Sequence, residues 1–144
     1  MSTALSPTAA TAVLHIRVYY EDTDFSGSVY HASYLRFLER GRTELLRARS
    51  IDQSALFAGT AAFFVVRAMR LDYLKPARMD DELQIETSVA DIGGASLTMQ
   101  QRILRGQELL LEADVKIAFV AKGRPQRLTA ELRAKLGVSK APST

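Results

Sequence analysis

The densest run of reactive side chains is Tyr19-Tyr20-Glu21-Asp22-Thr23-Asp24-Phe25-Ser26-Gly27-Ser28-Val29-Tyr30-His31, with three carboxylates and an imidazole inside thirteen positions. It lies between a segment with strand character and the start of a helical pattern. Unpaired N–H groups and the helix dipole at such a start stabilise developing negative charge. A carboxylate held close to it would combine a base or nucleophile with an oxyanion site. On spacing alone the three acids suit solvated turn residues or caps equally well.

Other chemistries are narrowed by composition. The 144 residues contain no cysteine, which excludes a thiolate zinc site, a disulfide scaffold and a cysteine nucleophile. Two histidines, His15 and His31, are too few for a histidine-rich metal centre, and His15 falls within a strand pattern that gives it no role. Asp22, Asp24, Ser26 and Gly27 match the opening of a calcium loop. The twelfth position, which needs a bidentate glutamate, is Ser33, and a strand rather than a helix precedes the loop. No metal and no cofactor are expected.

The flanking elements are legible from periodicity. Leu14 to Tyr20 reads as a strand. Tyr34, Leu38, Gly41, Leu45 and Ala48, with Phe37, form one helical face, opposite Arg36, Glu39, Arg40 and Arg47. Gly41 in mid-helix costs about 1 kcal/mol relative to Ala, so it suits either close backbone packing or a tolerated surface glycine. Four strands follow: Phe63 to Leu74, Leu83 to Val89, Leu97 to Arg105 and Leu111 to Phe119. Thr129 to Leu136 suits a short terminal helix. The order implies an α+β fold, with one long helix against a five-stranded antiparallel sheet. One domain is placed at 13–137, between loose termini at 1–12 and 138–144.

A single helix of about twenty residues cannot cover five strands. The apolar run Phe63 to Val66 also lacks a polar side, so pairing with a second copy is expected. No run approaches the ~20 apolar residues of a membrane helix, and the first residues lack a signal-peptide pattern, so a cytoplasmic protein is expected.

The stretch from Arg17 through Asp24, then Gly27, Val29-Tyr30-His31 and Tyr34, strongly resembles the hotdog-fold acyl-CoA thioesterases. Within them it resembles the Tol–Pal-associated (YbgC-type) branch of the hydroxybenzoyl-CoA thioesterase group. Leu71-Asp72-Tyr73-Leu74-Lys75-Pro76-Ala77-Arg78 with Asp80-Asp81 fits too, and the likeness spans about residues 14–127. It implies a central helix wrapped by an antiparallel sheet, protomers joined into a continuous sheet, and dimers that often pair into tetramers. It makes Asp24 the catalytic carboxylate, as general base or as nucleophile. The N–H groups near Tyr30-His31 would polarise the thioester carbonyl. The His31 side chain is a further catalytic or orienting candidate, and Tyr20 would help position Asp24. Ser28 and Val29 would line the pocket with Tyr30. Phe25 stands where relatives often carry small residues or proline, so it is expected to reshape the acyl pocket.

Coenzyme A carries a diphosphate and a ribose phosphate, which need cations. The candidates are Arg67, Arg70, Lys75, Arg78, Lys122, Arg124 and Arg127. Residues 1–114 carry 12 Lys/Arg against 15 Asp/Glu, whereas residues 115–144 carry 7 against 1, so the positive charge is concentrated at one end. A basic rim would suit an acyl carrier protein as well. The tail lacks the aromatic interleaving of single-strand nucleic-acid binders, and nothing matches a nucleic-acid-binding fold. The expected activity is therefore hydrolysis of an acyl-CoA to a carboxylic acid and free coenzyme A. The competing reading is a non-catalytic acyl-CoA- or partner-binding module of the Tol–Pal system.

Overall fold

A computed structural model describes residues 11–137. Strand β1 (Thr11–Arg17) leads through a single 3-10 turn at Tyr20–Asp22 into helix α1 (Ser33–Ala48). Helix α2 (Gln53–Thr60) follows, then strands β2 (Ala62–Tyr73), β3 (Glu82–Ile92), β4 (Ser96–Arg105) and β5 (Glu108–Ala121). A two-residue strand β6 (Arg124–Pro125) and helix α3 (Ala130–Leu136) end the described chain. The sheet is antiparallel throughout in the order β1-β3-β4-β5-β2, with β6 on β5.

This is the α+β arrangement expected, with three corrections. The first strand starts at Thr11, so Thr11 and Ala12 belong to the sheet; the remainder of both predicted loose termini lies outside the described residues. It also stops at Arg17 rather than Tyr20, because the Asp22 carboxylate accepts the Tyr19 N–H at 2.9 Å and turns the chain away from the sheet. Helix α2 is the second addition. Asp52 caps it by accepting the Ala55 N–H, but none of its residues is buried, so it carries no apolar stripe for periodicity to find. The third is β6, which makes the sheet six-stranded.

Alternation places Leu83, Ile85, Thr87 and Val89 of β3 on the inner face, with Leu111, Ala113, Val115, Ile117 and Phe119 of β5. Against that face α1 buries Tyr34, Phe37, Leu38, Gly41, Arg42, Leu45 and Leu46. Gly41 permits the approach: a Cβ there would stand 2.8 Å from both Ile85 Cγ2 and Thr87 Oγ1. Beneath it Gln101, also buried, donates to the Leu38 carbonyl at 2.9 Å and to Thr87 Oγ1 at 2.8 Å. Ala48, placed on the buried stripe by spacing, is exposed because the helix ends there.

Strand β2 is the edge of the sheet. Its Phe63, Val65 and Val66 are 43%, 41% and 42% exposed, an apolar edge of the kind that soluble proteins cover.

Candidate active site

The loop between β1 and α1 is strapped to the β2–β3 connection. Val18 donates to the Asp81 carbonyl and accepts from the Asp80 N–H, both at 2.9 Å. Val29 donates to the Ala77 carbonyl at 2.8 Å, and Ser28 bridges Arg78. The Tyr34 hydroxyl accepts the Ala77 N–H at 2.9 Å from α1. Arg105 braces the connection in turn, reaching Asp81 at 2.7 Å and Glu108 at 2.8 Å. The tip is therefore anchored at its base while its side chains stay in solvent.

Asp24 sits at that tip. Its Oδ1 accepts from the Ser26 N–H at 2.8 Å and from the Ser26 hydroxyl at 2.5 Å. No described residue bonds Oδ2, so one carboxylate oxygen is held and the other is open. The Ser26 hydroxyl, then its N–H, hold the Asp24 pKa below the ordinary 3.8, with a smaller contribution from the nearby His31. Gly27, at φ +86°, closes the turn, and its N–H donates to the Asp24 carbonyl.

The N–H groups near the helix start are not equivalent. That of Tyr30 is occupied by the Asp22 carbonyl at 2.9 Å, whereas that of His31 has no partner among the described residues. Ala32, at the cap position of α1, supplies no side-chain cap. An open carboxylate oxygen and an unpaired N–H therefore belong to one loop that leads into α1, and addition to a polarised carbonyl requires such a pair of groups.

The other predicted residues divide. His31 packs against Tyr30, with ring centroids 4.5 Å apart, and lines a hollow with Val29, Tyr34, Tyr73, Leu74 and Lys75. Tyr20 is 79% exposed and makes no hydrogen bond to Asp24; Ser26 holds the carboxylate instead. Phe25, at the turn tip, projects fully into solvent. Ser28 stays at the loop, where its carbonyl accepts the Asp24 N–H at 3.0 Å.

The cations are spread over the molecule. Arg78 adjoins the loop, and Lys75 does so while paired with Glu108 at 3.1 Å. Arg70 faces away from α1, beside Gln100, Arg102, Glu112 and Asp114, so it does not join the loop. Arg67 occupies a β2 irregularity between Val66 and Ala68. Lys122, Arg124 and Arg127 follow the far end of β5. From Leu111, paired with Tyr73 near the loop, β5 runs to Ala121, roughly 30 Å away at strand rise.

Sequence reading missed three residues. Ser26 entered the sequence reading through the calcium-loop match and was given no role at Asp24. Tyr73 donates its hydroxyl to the His31 carbonyl at 2.9 Å, tying the edge strand to the helix entrance. Arg42 is a buried charge on the inner face of α1; its spacing, four after Leu38 and three before Leu45, was the available signal.

A model of the Thioesterase-like superfamily matches residues 18–136. The chain belongs to that superfamily. Among its thioesterase relatives, the acyl-CoA thioester hydrolase YbgC of Escherichia coli is 49% identical over 116 residues, covering 78% of this chain and 86% of that protein. The acyl-CoA thioesterase YbgC of Haemophilus influenzae is 45% identical over 109 residues, covering 76% and 80%. A probable thioesterase from Bartonella henselae superposes with a TM-score of 0.80 at 44% identity, over 83% of this chain and all of that one. These matches agree with the thioesterase resemblance and the hotdog fold. No helix among the described residues is long and apolar enough to cross a membrane.

Proposed function

We propose that this thioesterase hydrolyses acyl-CoA at Asp24, in a site completed by a second copy of the chain. The observation that carries the reading is that one loop holds both the open Asp24 Oδ2 and the unpaired His31 N–H, next to an uncapped helix start. The N–H would receive the thioester oxygen as charge develops on it. Asp24 then either takes a proton from the attacking water or attacks directly to give a mixed anhydride that water opens. In either route the carbon–sulfur bond breaks, a water oxygen enters the acid, and the thiolate leaves to be protonated.

Hydrogen-bonded and solvated, Asp24 is a weak base at neutral pH. Excluding water raises a carboxylate's proton affinity. A second copy paired antiparallel along β2 would cover the exposed Phe63, Val65 and Val66. It would also bring its own loop toward this chain's Lys122, Arg124 and Arg127, because antiparallel pairing sets opposite ends of β2 side by side. Carboxylate and nucleotide-binding cations, far apart in one chain, would then meet across the interface. We read the assembly as a dimer or dimer of dimers. Its substrate carrier is read as coenzyme A, with acyl carrier protein as the other, and the enzyme as cytoplasmic.

Colorimetric thiol release from a panel of acyl-CoAs tests this. Wild type is expected to turn over at least one member. Asp24→Asn, still folded and dimeric, is expected to lose about 10³-fold in kcat/KM. Tight binding without release from any member would favour a binding module.

A further inference from the structure

Among the described residues Arg42 is the one buried arginine, at 8% exposure. Two half-buried arginines of the sheet have carboxylate partners: Arg102 pairs with Glu86 at 2.8 Å, and Arg105 with Asp81 and Glu108. Arg42 has none within ion-pair distance among the described residues. Its one hydrogen bond goes from Nη1 to the neutral Gln101 Oε1 at 3.0 Å. A buried cation with no carboxylate in ion-pair contact is costly, and an anion that reaches its fork offsets that cost.

Arg42 also faces somewhere. It lines a groove of about 350 Å³ between α1 and the edge strand, with apolar walls that include Leu46, Phe64 and Ile117 and with the polar Glu39, Thr43 and Gln53. No fully buried side-chain nitrogen lacks a partner among the described residues. The guanidinium nitrogens not bonded to Gln101 therefore keep some solvent contact, and Arg42 is among the residues that line the groove. Gln101 is itself locked by the Leu38 carbonyl and Thr87, so the fork has a fixed orientation. Glu39, one turn back, supports the charged form, against burial that disfavours it.

We propose that this groove takes the acyl chain and that Arg42 reads its far end, selecting acyl groups that terminate in a carboxylate. The assignment rests on the proposed hydrolase reading and its paired dimer. The groove lies at the Phe64–Val66 end of β2, where antiparallel pairing brings the second copy's reactive loop. Apolar walls suit the methylenes, and the fixed fork suits a carboxylate bidentately.

The test compares adipyl-CoA with hexanoyl-CoA, equal in chain length and differing in the terminal carboxylate. Wild type is expected to favour adipyl-CoA by about tenfold or more in kcat/KM. Arg42→Met is expected to lower that ratio by about 10- to 100-fold, mainly through KM for adipyl-CoA. Arg42→Lys, which keeps the charge without the fork, is expected to retain part of the preference. If Arg42→Met does not fold, the wild-type ratio and the lysine variant decide. A wild type indifferent to the carboxylate, or a ratio unmoved by either variant, would overturn the assignment while hexanoyl-CoA turnover left the hydrolase reading intact. No release from any acyl-CoA would overturn both.

Discussion

Asp24 and Arg42 are charges in opposite circumstances. Asp24 stands in solvent at the tip of a strapped loop, stabilised by Ser26 and with a depressed pKa. Arg42 is buried against the sheet, held by one neutral amide, with Glu39 supporting its charge from beyond ion-pair distance. The first is comfortable and for that reason weakly basic; the second is uncomfortable and poised to bind. Each is unsuited to its role in a lone chain, and both deficits are met if the edge strand pairs with a second copy and substrate fills the groove.

Outside the reactive loop, the largest expected effect comes from breaking that meeting. Val65→Lys places a charge on the exposed β2 edge, where lysine opposes strand pairing. Sedimentation should show monomers, and kcat/KM should fall by about 100-fold because the two regions no longer adjoin. A monomer of undiminished activity would mean that one chain suffices.

Next is the packing beneath Arg42. Gly41→Ala puts a methyl 2.8 Å from Ile85 and Thr87 and 3.0 Å from Gln101 Nε2, at the network that orients Arg42. Urea unfolding should register a loss of about 1–3 kcal/mol, with the loop's hydrogen bonds unaffected. Unchanged stability would show that α1 can move off the sheet freely.

Ser26→Ala acts on the other side of the comparison. A lowered carboxylate pKa keeps Asp24 ionised at neutral pH, and its contribution to stability is lost as pH falls through that lowered value. Removing the hydroxyl takes away the largest lowering influence, so the acid limb of kcat/KM should move to higher pH. A limb that stays in place would separate Ser26 from Asp24. The smallest effect belongs to Glu82→Gln, which breaks the exposed Arg17–Glu82 pair and should change stability by less than about 1 kcal/mol.

Much of this was legible in the sequence because period and burial coincide. The β3 and β5 alternations and the stripe through Leu38 and Leu45 are consequences of one buried face. Gly41 stood out as either a close approach or a surface glycine, and the contacts with Ile85 and Thr87 decide for the first. Helix α2 was not legible, since none of its residues is fully buried and it depends on the Asp52 cap. At the site, Asp24 stood out by residue type and family pattern. The division between Tyr30 and His31 did not, because it depends on which N–H the Asp22 carbonyl occupies. Arg42 was hidden in plain view: one charge in an apolar stripe is conspicuous only when each stripe position is asked where its side chain must go.

The most direct test of the composite site is complementation. Chains carrying Asp24→Asn and Arg42→Met, differently tagged and co-expressed, can be purified as mixed dimers and assayed on adipyl-CoA. If carboxylate and groove come from different copies, one of the two sites in each mixed dimer is intact, and turnover should rise to about half that of wild type. A mixed dimer no faster than the mean of its two parents would contradict the account.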